Sequence, residues 1–428
     1  MTYLIIINIL NYLKLKTKIE MNKKILLSVF TILLTLAATA QFEEPQLNGQ
    51  DFDKLKVRIG ANFAMQYQAL SHYADSTLIP LGKGFNLPTA NLVIESMLAP
   101  GIKVNLTTYL SSRHHNETWV KGGYLIIDEL PFLKSEGVDR LMDYLTIKVG
   151  DMDIDYGDAH YRRSDNGNIT SNPFVGNYIL DAFTTQIAAE VMFRSNGVLL
   201  MGALSNGTLK PALAGYSAFS GYTAYDTFKE LAFYWKAGYD KQLNDDLRLR
   251  LTLSGYHAPK NHFGSLYYGD RTGSRYYLVM NKENNSPDDV DITKNHLSGS
   301  WGPGLTNKDN SIMVNLFSQF KGLEVFGTFE TFKGTTLGGA STEFAQYAGE
   351  GIYRFGGQDQ FYGGLRYNKV WNQLDQSVSR LQIGAGWNMI ESVLIKLEYV
   401  NQQYNDFISA YGAEAGFKGV MFEAGISF

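Results

Sequence analysis

Past residue 50 the apolar residues of this chain recur at every second position, in stretches too long for ordinary globular strands. In LKVRIGANFAMQYQA, Leu55, Val57, Ile59, Ala61, Phe63, Met65 and Tyr67 share one face; Lys56, Arg58, Gly60, Asn62, Gln66 and Gln68 share the other. The residues change downstream but the rule does not. Leu247, Leu249, Leu251 and Leu253 alternate with Arg248, Arg250, Thr252 and Ser254. Val420, Phe422, Ala424, Ile426 and Phe428 alternate with Met421, Glu423, Gly425 and Ser427. These stretches run about 10–13 residues, beyond the roughly 5–6 of globular strands and near the roughly 9–11 that a tilted strand needs to cross a bilayer.

The connections alternate as well. One set is very short: Ala99-Pro100-Gly101, Ser195-Asn196-Gly197, Leu243-Asn244-Asp245, Lys321-Gly322, 355–359 and 389–392. The other is longer and polar, as in 154–181, 206–229 and 258–309. A soluble sandwich has no reason to sort its loops this way, whereas a transmembrane barrel has short turns on one rim and long loops on the other. The pattern predicts an all-β, antiparallel transmembrane barrel with strands at 55–69, 88–98, 102–113, 117–128, 143–153, 182–194, 198–205, 230–241, 247–257, 310–320, 323–333, 344–355, 360–371, 378–388, 393–403 and 417–428. That is sixteen strands, an even number with both ends on the short-turn side. Residues 274–281 (SRYYLVMN) are a further candidate, and with an unseen partner they would make eighteen. The connection 129–142 (ELPFLKSEGVDRLM) is long for its rim and is expected to hold a helical turn. Tyr67, Trp119, Trp235, Tyr239, Tyr353, Tyr367, Trp387, Tyr399 and Phe428 fall near strand ends, as interfacial girdle residues do.

The N-terminus reads as an address. Residues 21–40 (MNKKILLSVFTILLTLAATA) carry Lys23 and Lys24, an apolar run Ile25 to Ala37, and the A-x-A site Ala38-Thr39-Ala40. We expect a cleaved export signal, with 1–20 an upstream extension before a start at Met21 and a barrel over 41–428. The segment 1–40 has five Lys and Glu20, a net of +4, so the mature chain stands at −8 (−4 − 4). That charge disfavours nucleic acid, which binds a basic face.

Catalytic and metal chemistry have little to work with. There is no Cys, and the 7 His are scattered. No HExxH, GxSxG or P-loop spacing occurs. Ser254, His257 and His262 form the one loose cluster that an esterase would need, and Ser254 falls on the polar phase. Asp151, Asp153 and Asp155 have a calcium-loop spacing, but Tyr156 and Arg162 occupy the sixth and twelfth positions, where such a loop needs Gly and an acid. We therefore expect no enzyme, no metal and no cofactor.

The A-x-A signal, the amphipathic strands and the terminal Phe428 resemble Gram-negative outer-membrane porins. The stretches YGDAHYRRSDNG and FKGVMFEAGISF are similar to porin-like proteins of Bacteroidota, some of them grouped loosely with phosphate-selective porins. The resemblance implies a water-filled diffusion channel in the outer-membrane lipid for small hydrophilic solutes, a terminal Phe428 read by the barrel-assembly machinery, and a homotrimer. In that family the third long loop folds inward and narrows the pore. Here that loop is 154–181, which makes Asp155, Asp158, His160, Arg162, Arg163 and Asp165 constriction candidates.

On the polar phase stand Lys56, Arg58, Lys103, Lys148, Arg194, Lys236, Arg248, Arg250, Arg354, Arg366, Arg380 and Lys396. The acids on that phase are Glu190, Asp240, Glu324, Glu330, Glu350, Glu398 and Glu423, leaving a mildly basic wall that would favour anions. The same charges read equally as cross-strand pairs that stiffen the barrel. Loop aromatics (Tyr216, Phe219, Tyr222, Tyr225, Phe228, Tyr267, Tyr268, Tyr276, Tyr277) could stack on sugars or pack on one another. A barrel plugged by 258–309, serving adhesion, partner binding or secretion, is the alternative function.

Overall fold

The computed structural model describes residues 42–47, 52, 54–111, 118–165, 169–207, 230–260, 266–267, 273–304, 306–336 and 339–428. The signal segment 1–40 lies outside them. Residues 42–45 are a short irregular stretch belonging to a separate unit, and 46–428 form the second.

That second unit is a closed antiparallel barrel of sixteen strands. In chain order they are β1 (Lys56–Tyr73), β2 (Gly84–Ala99), β3 (Ile102–Ser111), β4 (Thr118–Ile127), β5 (Leu145–Asp153), β6 (Thr185–Ser195), β7 (Val198–Ser205) and β8 (Ala232–Asn244). There follow β9 (Leu247–Ala258), β10 (Thr306–Phe320), β11 (Leu323–Thr336), β12 (Ser341–Phe355), β13 (Phe361–Asn372), β14 (Ser377–Ile390), β15 (Val393–Asn405) and β16 (Ala415–Ser427). Every stretch read from the alternation coincides with one strand. The segment 274–281 does not: Arg275, Leu278 and Met280 have φ of 74, 60 and 61°, which bends the chain out of any strand. The connection between β4 and β5 holds the helix α1 (Glu136–Met142).

Closure follows from what lipid demands. No water reaches a strand edge in hydrocarbon, so each N–H and C=O must find a partner within the sheet. The last strand therefore returns to the first, with Asn62 opposite Ser427 and Tyr73 opposite Gly416. Phe428 completes the seam: its N–H donates to the Ala61 carbonyl at 3.0 Å, and the Ala61 N–H donates back at 2.9 Å.

The period of two sorts the side chains. Leu251, Leu253, Leu397, Val420 and Phe422 are 40–54% exposed and face outward, while Arg250, Thr252, Glu398, Met421 and Glu423 are buried inside. Aromatics mark the edges of the outer band. Tyr353, Phe355, Phe361 and Trp387 stack in a row near the short turns, with centroids 5.8–6.4 Å apart. Tyr347 meets Tyr367 and Trp371 at 6.0 and 5.9 Å nearer the long loops. Six to eight residues of β12 separate Tyr347 from Tyr353 and Phe355, roughly 20–27 Å along the strand, against an apolar band of about 25 Å. Tyr67, Trp235, Tyr239, Tyr399 and Phe428 also lie on this outer face, whereas the side chain of Trp119 is outside the described set.

Deleting Phe428 removes both seam bonds, so the fraction of chain that migrates as folded barrel in unheated gels should fall. Phe428→Ala keeps the backbone pair and loses only the ring. Assembly lost in that variant too would assign the terminal ring, and not the seam, the larger part.

Candidate functional site

The long connections after β5 and β9 place parts of themselves inside the barrel, against the polar phase of the strands. The first of these, 154–181, is fixed by its own charges. Asp158 accepts from Arg250 Nε and Nη2, both at 2.8 Å, and from Thr252 Oγ1 at 2.7 Å. Its backbone N–H donates to Asn315 Oδ1 at 2.8 Å. Asp155 pairs with Lys236, whose Nζ also donates to the Gly157 carbonyl at 2.8 Å. Gly157 has φ +68°, and a Cβ there would stand 2.2 Å from Met313 Sδ, so this approach needs glycine. Arg162 reaches Glu324 at 3.4 Å and Glu350 at 3.3 Å, above the rings of Phe317 and Phe326. Arg163 pairs with Asp181 at 2.6 Å, and Asp165 with Lys121 at 3.3 Å.

Farther along the loop its backbone takes over. Val175 and Gly176 donate to Glu398 at 2.7 and 3.3 Å. The carbonyls of Phe174, Gly176 and Asn177 accept from Lys396, Arg366 and Arg380. Asn368 accepts from the Ile179 N–H at 2.8 Å, and Gln346 donates to the Leu180 carbonyl at 2.8 Å.

The second segment, 273–301, lies beside the first. Arg380 and Gln402 both donate to the Gly299 carbonyl, at 2.9 and 2.8 Å. Tyr276 donates to Glu398 at 2.6 Å, so this carboxylate serves both loops. Arg275 pairs with Glu423, and Gln68 exchanges two bonds with the backbone of Tyr277. The loops also bind each other: Trp301 N–H to the Ile179 carbonyl at 2.9 Å, and Asn177 Nδ2 to the Gly273 carbonyl at 2.9 Å.

All six candidates from the first loop are thus buried within the barrel, none of them on an exposed loop with solvated charges. The wall candidates divide. Arg248, Arg250, Glu324, Glu330, Arg366, Arg380 and Lys396 are buried, each in bonds to a loop or to a neighbouring strand. Arg194 is half-buried beside Thr146, at 3.0 Å. Lys56 and Arg58 are exposed on the first turns of β1, below the point where β16 ends at Ser427 opposite Asn62, and so stand away from the loops.

The inner face is also not charged along its whole height. Toward the long loops Val370, Val378, Val400, Phe417 and Met421 form an apolar core with Val175, Ile179, Leu180 and Val279. Tyr267, Tyr276 and Tyr277 are buried in this packing, while Tyr216, Phe219, Tyr222, Tyr225, Phe228 and Tyr268 lie outside the described residues. Of the cluster Ser254, His257 and His262, the last lies outside the described residues, and the first two point to opposite faces of β9, Ser254 inward and His257 to Trp235 Nε1 at 3.2 Å. A cavity of about 10 Å³ between the first loop and the wall, bounded by Ala159, Arg162, Tyr178 and Arg366, has room for about one water.

Sequence reading missed the neutral amides. Asn315, Gln346, Asn368 and Gln402 also hold loop backbone, and their signal is present as Asn and Gln on the inward phase of the long strands.

Burial opposes ionisation of Asp158, but Arg250 and Lys236 outweigh it and hold the carboxyl well below the usual range. His160 is pushed down to about 4, by burial first and Lys236 second, against the opposing pull of Asp155 at 3.7 Å. The imidazole is therefore neutral at pH 6, where an exposed histidine is mostly charged. What it contributes to loop docking is complete above the ordinary value and lost as pH falls toward 4. Imidazole nitrogen shifts of a protonated ring at pH 6 would contradict this. At Glu398, removal of the carboxylate in Glu398→Ala strands two amides and a phenol, at about 1–3 kcal/mol each. The Val175 and Gly176 amides should then exchange faster, with β15 and β16 amides unchanged.

No family model matches the chain, and no curated protein matches it. Solved structures do. An anion-selective porin from Comamonas acidovorans superposes with a TM-score of 0.52 at 11% identity, over 88% of this chain and 100% of that one. OprB of Pseudomonas putida gives 0.49 at 9%, over 87% and 94%, and the OmpT loop-deletion mutant of Vibrio cholerae 0.48 at 8%, over 88% and 100%. The first likeness is one of fold. With its closed seam and its apolar band between aromatic rows, the chain is an outer-membrane β-barrel of porin architecture.

Proposed function

We propose that the protein is an outer-membrane channel for small hydrophilic solutes, which the described conformation holds shut. One observation carries this reading: the charges of the wall at mid-height are taken up by backbone groups of the two inserted loops. Lys396, Arg366, Arg380 and Glu398 bind peptide groups, which water or a polar solute replaces without leaving the wall unpaired. Asp155, Asp158, His160, Arg162, Arg163 and Asp165 are the constriction in this reading.

Below the loops, toward the short turns, the lumen is wetter. The side chains of Glu95, Lys103 and Arg354 are 27, 17 and 23% exposed there, although each is paired. Lys56, Arg58, Lys103, Lys148, Arg194, Arg248 and Arg354 outnumber Glu95, Glu190, Asp240 and Glu324 on this face, which supports a mild anion preference. The architecture is shared with an anion-selective porin. A homotrimer belongs to the same reading.

A second reading has its own observation. Ile169, Phe174, Val175, Ile179 and Leu180 are fully buried, as in a permanent plug, and such a barrel would serve adhesion, partner binding or secretion.

Conductance in planar bilayers under a salt gradient separates the two. Arg380 ties both loops through the Asn177 and Gly299 carbonyls. For a channel, wild-type protein should open rarely and Arg380→Ala far more often, with a reversal potential on the anion side. Silence from both, in protein that still migrates as folded barrel, favours the plug.

A further inference from the structure

We propose that His72 is a proton-operated latch: its neutral imidazole fastens the inserted segment 273–301 to β1, and acidification releases it. His72 lies on the inward phase of β1, five positions beyond the girdle residue Tyr67 (72 − 67) and so outside the membrane. Its Nε2 donates to the Ile79 carbonyl at 2.8 Å, and its Nδ1 accepts the Met280 N–H at 3.0 Å. Those two bonds define one tautomer of the neutral ring. A protonated ring has donors at both nitrogens, so Nδ1–H would face the Met280 N–H donor to donor, and the two must part.

Beside the bonds already described to Glu398, Arg380, Gln402 and the loop 154–181, the fastenings of this segment around His72 are Gln68 to Tyr277, Arg275 to Glu423 and Thr89, the Ile79 N–H to the Asn281 carbonyl, and the Glu283 N–H to the Thr77 carbonyl. Among these, His72 is the group that exchanges an acceptor for a second donor on acidification. The segment is also strained. Arg275, Leu278 and Met280 are non-glycine residues at positive φ, a conformation that L side chains rarely adopt. Such strain persists only where surrounding bonds impose it.

The titratable groups on the elements packed around the ring are Tyr73 and Asp75 on β1 and its loop, Lys282 and Glu283 on the inserted segment, Tyr411 before β16, and Lys418 on β16. Burial lowers the pKa of His72 from the ordinary 6.5, and the Ile79 carbonyl partly offsets this. The latched form is accordingly complete above about pH 6.5 and is lost as pH falls through the lower folded value.

Release of the segment needs no conduction; its effect on flux alone rests on the channel function proposed above. The test is amide exchange of Met280 in the intact protein in lipid nanodiscs at pH 7.5 and 5, corrected for intrinsic rates. The corrected rate should be higher at pH 5 than at pH 7.5, because protonation of the ring removes the acceptor of the Met280 N–H. His72→Gln, which offers one donor and one acceptor at every pH, should remove that rise. No rise in wild-type protein, or an equal rise in His72→Gln, overturns the latch. Bilayer current recorded under the same conditions separates the two proposals: release at pH 5 without added current upholds the latch and counts against the channel.

Discussion

Lipid offers no hydrogen bonds, and the rest of this structure depends on that. A sheet in hydrocarbon must have no edge, so the sixteenth strand pairs with the first, and Phe428 exchanges two bonds with Ala61 at the seam. Once the sheet is closed, the alternation of side chains forces every second residue inward. The charges and amides that lipid would reject are thereby concentrated in the barrel's interior. There they need partners as much as the backbone did. The two inserted loops supply them, and the unpaired peptide groups of the loops are satisfied in the same exchange. Arg366 against the Gly176 carbonyl and Glu398 against the Val175 amide each solve two desolvation problems with one bond.

The strands were legible because one rule governs them. Period two, length and loop alternation all follow from spanning a bilayer, and each is local in sequence. That 154–181 turns inward was reached only by resemblance, since nothing in the order YGDAHYRRSDNG says that Asp158 will meet Arg250, 92 residues away. The segment 274–281, a candidate for a further strand, is not one, for a related reason. SRYYLVMN has the composition of a strand, but its conformation is set by Gln68, His72 and Glu423 on distant strands, which hold Arg275, Leu278 and Met280 at positive φ. The apolar outer half of the lumen escaped notice as well. Val370, Val378 and Val400 stand on the same inward phase as the charges nearer the short turns, so alternation alone does not separate the two halves.

The two loops are fastened by different chemistry, and that difference decides which of them is free to move. The loop 154–181 is held by buried ion pairs: Asp158 with Arg250, Asp155 with Lys236, and Arg162 with Glu324 and Glu350. Removing one partner of such a pair strands a charge, at about 3–5 kcal/mol. Salt screens these pairs little, because water does not reach them. The segment 273–301 has one buried ion pair, Arg275 with Glu423, two bonds to charged groups, from Arg380 to the Gly299 carbonyl and from Tyr276 to Glu398, and neutral bonds to Gln68, Gln402 and His72. Each of the neutral bonds is worth about 1 kcal/mol net and is readily exchanged for water. With fewer buried ion pairs to break, 273–301 is the easier of the two to displace, and in the proposed channel 154–181 is the fixed charged shelf.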